Sequence, residues 1–113
     1  MLPTSHRLTK EQDFARVKKY GKPFFSSLFR VAVRPTKNTV NRFAVVVSTR
    51  INKKAVIRNR LRRQVREIIR QSLPALSSSY DVVVTARSNP TGISSHLLQK
   101  DLTSLFKKAK LLS

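Results

Sequence analysis

Three observations predict an α+β fold for this 113-residue chain. Apolar residues recur at helical spacing in three separate segments. Between these lie apolar runs that read as strands, by two-residue alternation or by continuous apolar character. The elements follow in the order helix-strand-strand-strand-helix-strand-helix. The central strand, helix and strand make one βαβ crossover, which requires a parallel pair. The other pairing is antiparallel, so the sheet is expected to be mixed. One domain, 1–113, is the expectation at this length, with a radius of gyration of about 13 Å.

The first helix is expected from about Lys10 to Lys19. Thr9 is a suitable N-cap and Gln12 completes a capping box. Phe14 and Val17 share a face, and Gly21 is the stop signal. Phe24 to Arg34 reads as strand, which Ser26-Ser27 could divide in two. Phe25, Phe29, Val31 and Val33 fall on one side of that alternation. Pro35 to Asn41 is a polar connection, and Arg42 to Ser48 is a further strand. Its core, Phe43-Ala44-Val45-Val46-Val47, is apolar on both faces and reads as central in the sheet. These two stretches are expected to form a hairpin.

Lys54 to Ser72 is the longest helical pattern. Ile57, Leu61, Val65, Ile68 and Ile69 lie within about 120° of arc. Arg58, Arg62, Arg66 and Arg70 recur every four residues along one flank, and Asn59 and Arg63 widen it. Pro74 ends the helix. After a short serine linker, 77–79, Tyr80 to Arg87 reads as an inner strand. Asn89-Pro90-Thr91-Gly92 is a turn cluster. A last helix, from about Ser95 to Lys110, buries Leu98, Leu102, Leu105 and Ala109.

The charge is concentrated. The chain carries 24 Lys and Arg against five Asp and Glu, a net +19. Residues 50–70 hold +8 of it, as much as the 49 residues before them. A body this small repels itself at such a charge unless a polyanion covers it. Seven of the nine basic residues in 50–70 are Arg, whose planar fork matches phosphate. Nucleic acid is the expected partner. No apolar run reaches membrane-spanning length. The absence of a secretory apolar stretch and of any Cys points to the cytoplasm.

Catalysis by the chain alone is not expected. His6 and His96 are far apart, and the five carboxylates form no two-metal cluster. Two glycines cannot build a phosphate-binding loop. Phe14, Phe24, Phe25 and Phe29 lie among basic residues, and unpaired bases stack on exposed aromatics. The alternation does not tell which of them is core.

The stretch Lys54-Ala55-Val56-Ile57-Arg58-Asn59-Arg60-Leu61-Arg62-Arg63-Gln64-Val65-Arg66-Glu67 resembles the signature helix of the bacterial ribonuclease P protein subunit. Arg7 to Phe14 resembles that family's opening helix. Arg42 to Ser48 and Asp81 to Arg87 resemble the strands on either side of the signature. The resemblance implies a left-handed βαβ crossover, against the usual preference. It implies endonucleolytic removal of the 5′ leader from precursor tRNA by a ribonucleoprotein whose RNA holds the catalytic centre, with magnesium bound mainly by that RNA. The implied partners are ribonuclease P RNA and precursor tRNA, with the protein monomeric in a 1:1 complex and no membrane contact. By position, Arg50, Lys53, Lys54, Arg58, Asn59, Arg60, Arg62, Arg63 and Arg66 would contact RNA, and Asn59 would lie near a magnesium ion shared with it. Phe14, Lys18, Arg30 and Ala32 would line a leader-binding cleft. The sequence departs from the family at Lys18 and Ala32, where aromatics are frequent, which favours a more electrostatic grip. The stretch 49–54 is one residue longer than the common pattern and lacks its glycine. A ribosomal or other structural RNA-binding protein is the alternative, since composition alone fits both.

Overall fold

In the computed structural model, the first helix, α1, spans Glu11–Tyr20. It starts one residue later than the sequence predicts. Lys10 occupies the cap position with extended backbone and makes no side-chain cap bond. Thr9 is too early to cap, so the expected capping box does not form. The structure describes every residue except Met1, Asn38, Ser78, Pro90, Thr91 and Ser113, and leaves out the side chain of Thr4. Gly21 ends α1 with ordinary φ of −68°. Its small size, rather than left-handed backbone, is what the stop requires: a Cβ there would lie 2.4 Å from the Val17 carbonyl oxygen.

The strands are β1 (Lys22–Phe25), β2 (Phe29–Pro35), β3 (Arg42–Val46) and β4 (Tyr80–Ala86). The serines do divide the first long run. The Ser26 hydroxyl accepts from the Leu28 and Phe29 amides at 3.2 and 3.0 Å and donates to Asp101. That local bonding turns the chain, and β1 and β2 form an antiparallel hairpin.

The sheet order is β1-β2-β4-β3. This corrects two expectations. β2 and β3 are not a hairpin, because β4 lies between them, antiparallel to β2 and parallel to β3. β3 is an edge strand, not a central one. It is apolar on both sides because Phe43 faces one layer of helices and Ala44 and Val46 face α1. Its outer rim is also occupied: the Leu8 amide donates to the Phe43 carbonyl at 2.8 Å. β4 is inner, as its apolar centre predicts. The parallel β3–β4 pair flanks helix α2 (Ala55–Ser72), completing the βαβ unit.

Helix α3 spans Ser95–Lys108, capped by the Ser94 hydroxyl. α2 and α3 cover one face of the sheet. Leu61, Val65, Ile68, Ile69, Leu98, Leu102, Leu105 and Phe106 pack there against Phe29, Val31, Phe43, Val82 and Val84. Phe106 is fully buried, whereas Ala109, expected in that line, is half-buried. α1 covers part of the other face through Val17, Leu8, Ala32 and Val83. The serine stretch is not a linker between separate bodies: the Ser77 amide donates to Leu111, and the Cα radius of gyration is 13.0 Å.

α3 ends in a Schellman motif. Leu111 donates to the Phe106 carbonyl and Lys110 to that of Lys107. Lys110 holds φ of 61°, a conformation glycine adopts without strain. Lys110→Gly is therefore expected to stabilise the domain by about 0.5–1 kcal/mol. Chemical denaturation checks this, and a loss of stability would show that the lysine side chain outweighs the backbone strain.

Candidate nucleic-acid interface

On α2 the apolar stripe is buried and the arginines divide by what they touch. The Arg58 guanidinium donates to the Asn52 and Lys53 carbonyls at 2.9 and 2.8 Å. It fastens the β3–α2 connection. Arg70 is neutralised within the helix by a two-pronged bond to Glu67. That pair holds the Glu67 carboxyl down to about 2, chiefly through the Arg70 hydrogen bonds. Glu67 therefore stays ionised at any physiological pH, and Arg70 is offset.

Among the described residues, no such offset serves the centre of the stripe. Burial pushes the Arg66 guanidinium below its usual range, and the neighbouring Arg7 and Arg62 push it further. Three cations gathered without a carboxylate are the electrostatic complement of a phosphate. Arg50, Lys53, Lys54, Asn59 and Arg63 are exposed around them. Lys53 and Lys54 stand at the start of α2, where the helix dipole disfavours cations and no acid lies in the first turn. Arg60 is exposed but lies about 160° around the helix from Arg62, so it belongs to a different face.

The α1 face of the sheet is built of three rows that run across the strands. The register fixes each row. Val46, Thr85, Arg30 and Phe25 form the first; Ala44, Val83, Ala32 and Pro23 the second; Arg42, Asp81 and Arg34 the third. α1 lies on the second row, where Ala32 and Val83 are fully buried. The first row is left partly open. Phe25 is 50% exposed, with the Arg30 and Arg87 guanidinium groups 5.6 and 5.1 Å from its ring centre. Phe14 and Lys18 occupy one flank of α1. Phe14 is half-buried against Ala44 and Val46, and the Lys18 ammonium is 5.6 Å from its ring centre. The result is a cleft with a mixed aromatic, cationic and polar floor. It meets the arginine flank at the end of β3, where Arg62 reaches towards the Val47 carbonyl at 3.5 Å.

A sequence model of the family described as Ribonuclease P matches residues 2–110. The chain belongs to the ribonuclease P protein family. It is 40% identical over 110 residues to the ribonuclease P protein component of Chloroflexus aurantiacus, covering 96% of this chain and 80% of that one. It is 35% identical over 113 residues to the Pseudanabaena protein of the same name, covering 99% and 97%. The solved Staphylococcus aureus RNase P protein superposes with a TM-score of 0.87 at 27% identity, covering 96% of this chain and 98% of that one. The Thermotoga maritima RNase P protein, solved with 1-(4-fluorophenyl)-2-thiourea, gives 0.83 at 30% identity, covering 89% and 97%. Membership brings with it tRNA processing, RNA binding and assembly into a ribonucleoprotein.

Of the family positions expected to form the cleft, the structure brings together Phe14, Lys18 and Arg30 but removes Ala32. Its side chain has no accessible surface beneath α1, so it can pack but cannot touch a ligand. Phe25, Thr85 and Val46 take that place. Phe25 was among the aromatic candidates in the sequence, but the alternation set it on the side of Phe29, Val31 and Val33; the turn at 26–28 inverts that phase. The register sets Phe25 beside Arg30 and Phe24 beside Val31. Asn59, the expected magnesium neighbour, already accepts a hydrogen bond from Arg62 at its amide oxygen. Among the described residues no group of three His, Asp or Glu side chains could hold a metal.

Proposed function

We propose that the chain is the protein subunit of ribonuclease P and assists removal of the 5′ leader from precursor tRNA. The exposed cations of α2 bind the catalytic RNA. The cleft beside α1 takes the single-stranded leader, with bases against Phe14 and Phe25 and phosphates against Lys18 and Arg30. The RNA holds the catalytic centre and the magnesium ions, and one copy of the protein serves each RNA. The observation that carries this reading is the junction of an unneutralised arginine flank with a half-open cleft at the end of β3.

The chemistry follows from charge. Two RNAs that must approach each other repel through their phosphates, and magnesium screens that repulsion. A body of +19 placed between them replaces part of the counterion atmosphere. The protein should therefore lower the magnesium needed for cleavage without supplying a nucleophile or a base. The test is a cleavage assay on precursor tRNA with the RNA alone, the protein alone and both. Cleavage at low magnesium should need both. Site-specific, metal-dependent cleavage by RNA-free protein would sink the proposal. So would a protein that binds the RNA and leaves its cleavage rate unchanged, which is what a purely structural RNA-binding protein would do.

A further inference from the structure

We propose that the third row of the α1 face floors a second phosphodiester-binding groove, separate from the leader cleft and from α2. This rests on the RNA-binding reading above and adds a strand to it. The groove has a volume of about 620 Å³ and lies on the flank of α1 opposite Phe14 and Lys18. Lys10, Asp13 and Arg16 of α1 form one wall; Arg34 and the chain leaving β2, through Lys37, form the other.

The groove holds five cations and two carboxylates, and the carboxylates are already used. Arg42 donates to both oxygens of Asp81 at 2.9 and 2.7 Å and to Asp13 at 3.2 Å. Arg16 stands 3.6 Å from Asp13. The side chains of Lys10, Arg34 and Lys37 make no hydrogen bond or ion pair among the described residues. Their charge is therefore available. Lys10 in addition sits at the N-terminus of α1, where a cation opposes the helix dipole. Cations on both walls of an open, polar trough suit an extended polyanion, and phosphate is the anion that ammonium and guanidinium groups grip in RNA. α1 then acts as a divider, with the leader on one flank and a second strand on the other.

Lys10→Gln/Lys37→Gln removes two exposed, partnerless charges, so its melting temperature should match or exceed that of the unaltered protein. Lys107→Gln/Lys108→Gln, at the far end of α3, lowers the net charge equally and serves as control. Each protein is titrated with ribonuclease P RNA alone and with precursor tRNA alone across a salt series. The groove variant should reduce the slope of log K against log salt by roughly 1.5–2 in one of the two series, and that series identifies the strand. Addition of Arg34→Gln should take the reduction to about 2–3. Slopes and affinities equal to those of the control with both RNAs would overturn the groove alone. An unaltered protein that bound neither RNA would overturn the functional reading and the groove with it.

Discussion

Arg42→Ala is expected to lower the stability of the domain by about 3–5 kcal/mol, because it strands a buried charge. Asp81 is 1% exposed and both its oxygens accept from the Arg42 guanidinium, which also reaches Asp13 from the opposite layer. These contacts hold the Arg42 pKa above its ordinary value, the Asp81 hydrogen bonds contributing most. The pair also joins β3 to β4 at the first residue pair of their parallel register. Without the guanidinium, the carboxylate loses the donors to both its oxygens. For a chain of this size the loss corresponds to a melting temperature lower by roughly 15 °C. Removing Asp81 as well, in Arg42→Ala/Asp81→Ala, should recover much of the loss, since no orphan charge remains. Denaturant titration of both variants measures this. A change below about 1 kcal/mol in the single variant would mean that the pair behaves like a surface ion pair.

The second large effect separates the two parts of the proposed interface. Seven of the nine cations in 50–70 are left once Arg58 fastens backbone carbonyls and Arg70 pairs with Glu67. Arg60 faces elsewhere, which leaves about six phosphate contacts and a slope of log K on log salt of roughly −4 to −5. Arg62→Ala/Arg66→Ala should make that slope shallower by about 2 and weaken binding whatever the leader sequence. Phe14→Ala should behave differently. Loss of a stacking ring costs about 1–3 kcal/mol in binding precursor tRNA and leaves mature tRNA, which has no leader, almost unaffected. Phe14 is half-buried and packs on the α1 cluster, so stability should fall as well, by less than the 3–5 kcal/mol typical of a fully buried Phe. Equal loss for both tRNA forms would remove Phe14 from the interface and leave the arginine helix as its supported part.

The order of elements was legible because periodicity is a local property. Leu61, Val65, Ile68 and Ile69 declare their helix, and Val82, Val83 and Val84 their strand, without reference to any partner. Pairing was not legible. β3 looks central because both its faces are covered. The layer on one face and the strap along its rim come from segments distant in sequence, which a hydropathy pattern cannot show. The same limit hid the cleft. Ala32 holds the position the family resemblance assigns to the cleft, yet α1 seals it. The open row beside it depends on how the β1–β2 turn sets the phase of Phe25 against Arg30. The arginine helix was legible as a basic stretch. Its division into structural, neutralised and available arginines required coordinates, since Arg58 and Arg66 are indistinguishable in a sequence pattern.

The place of β4 has a consequence for synthesis. All seven of its residues pair with β2 and five pair with β3, yet it is the last strand to leave the ribosome. Until residue 86 has emerged, the hairpin of β1 and β2 and the strand β3 have no common neighbour. α2 then carries its apolar stripe with no finished sheet to cover it. The nascent chain thus presents the most cationic helix of the protein, unpacked, beside a ribosome that is itself largely RNA. Closure of the sheet by one late strand makes folding a single event after that point rather than a stepwise growth from the N-terminus. A chain halted before Tyr80 would hold three of the four strands and none of the contacts that join them into one sheet.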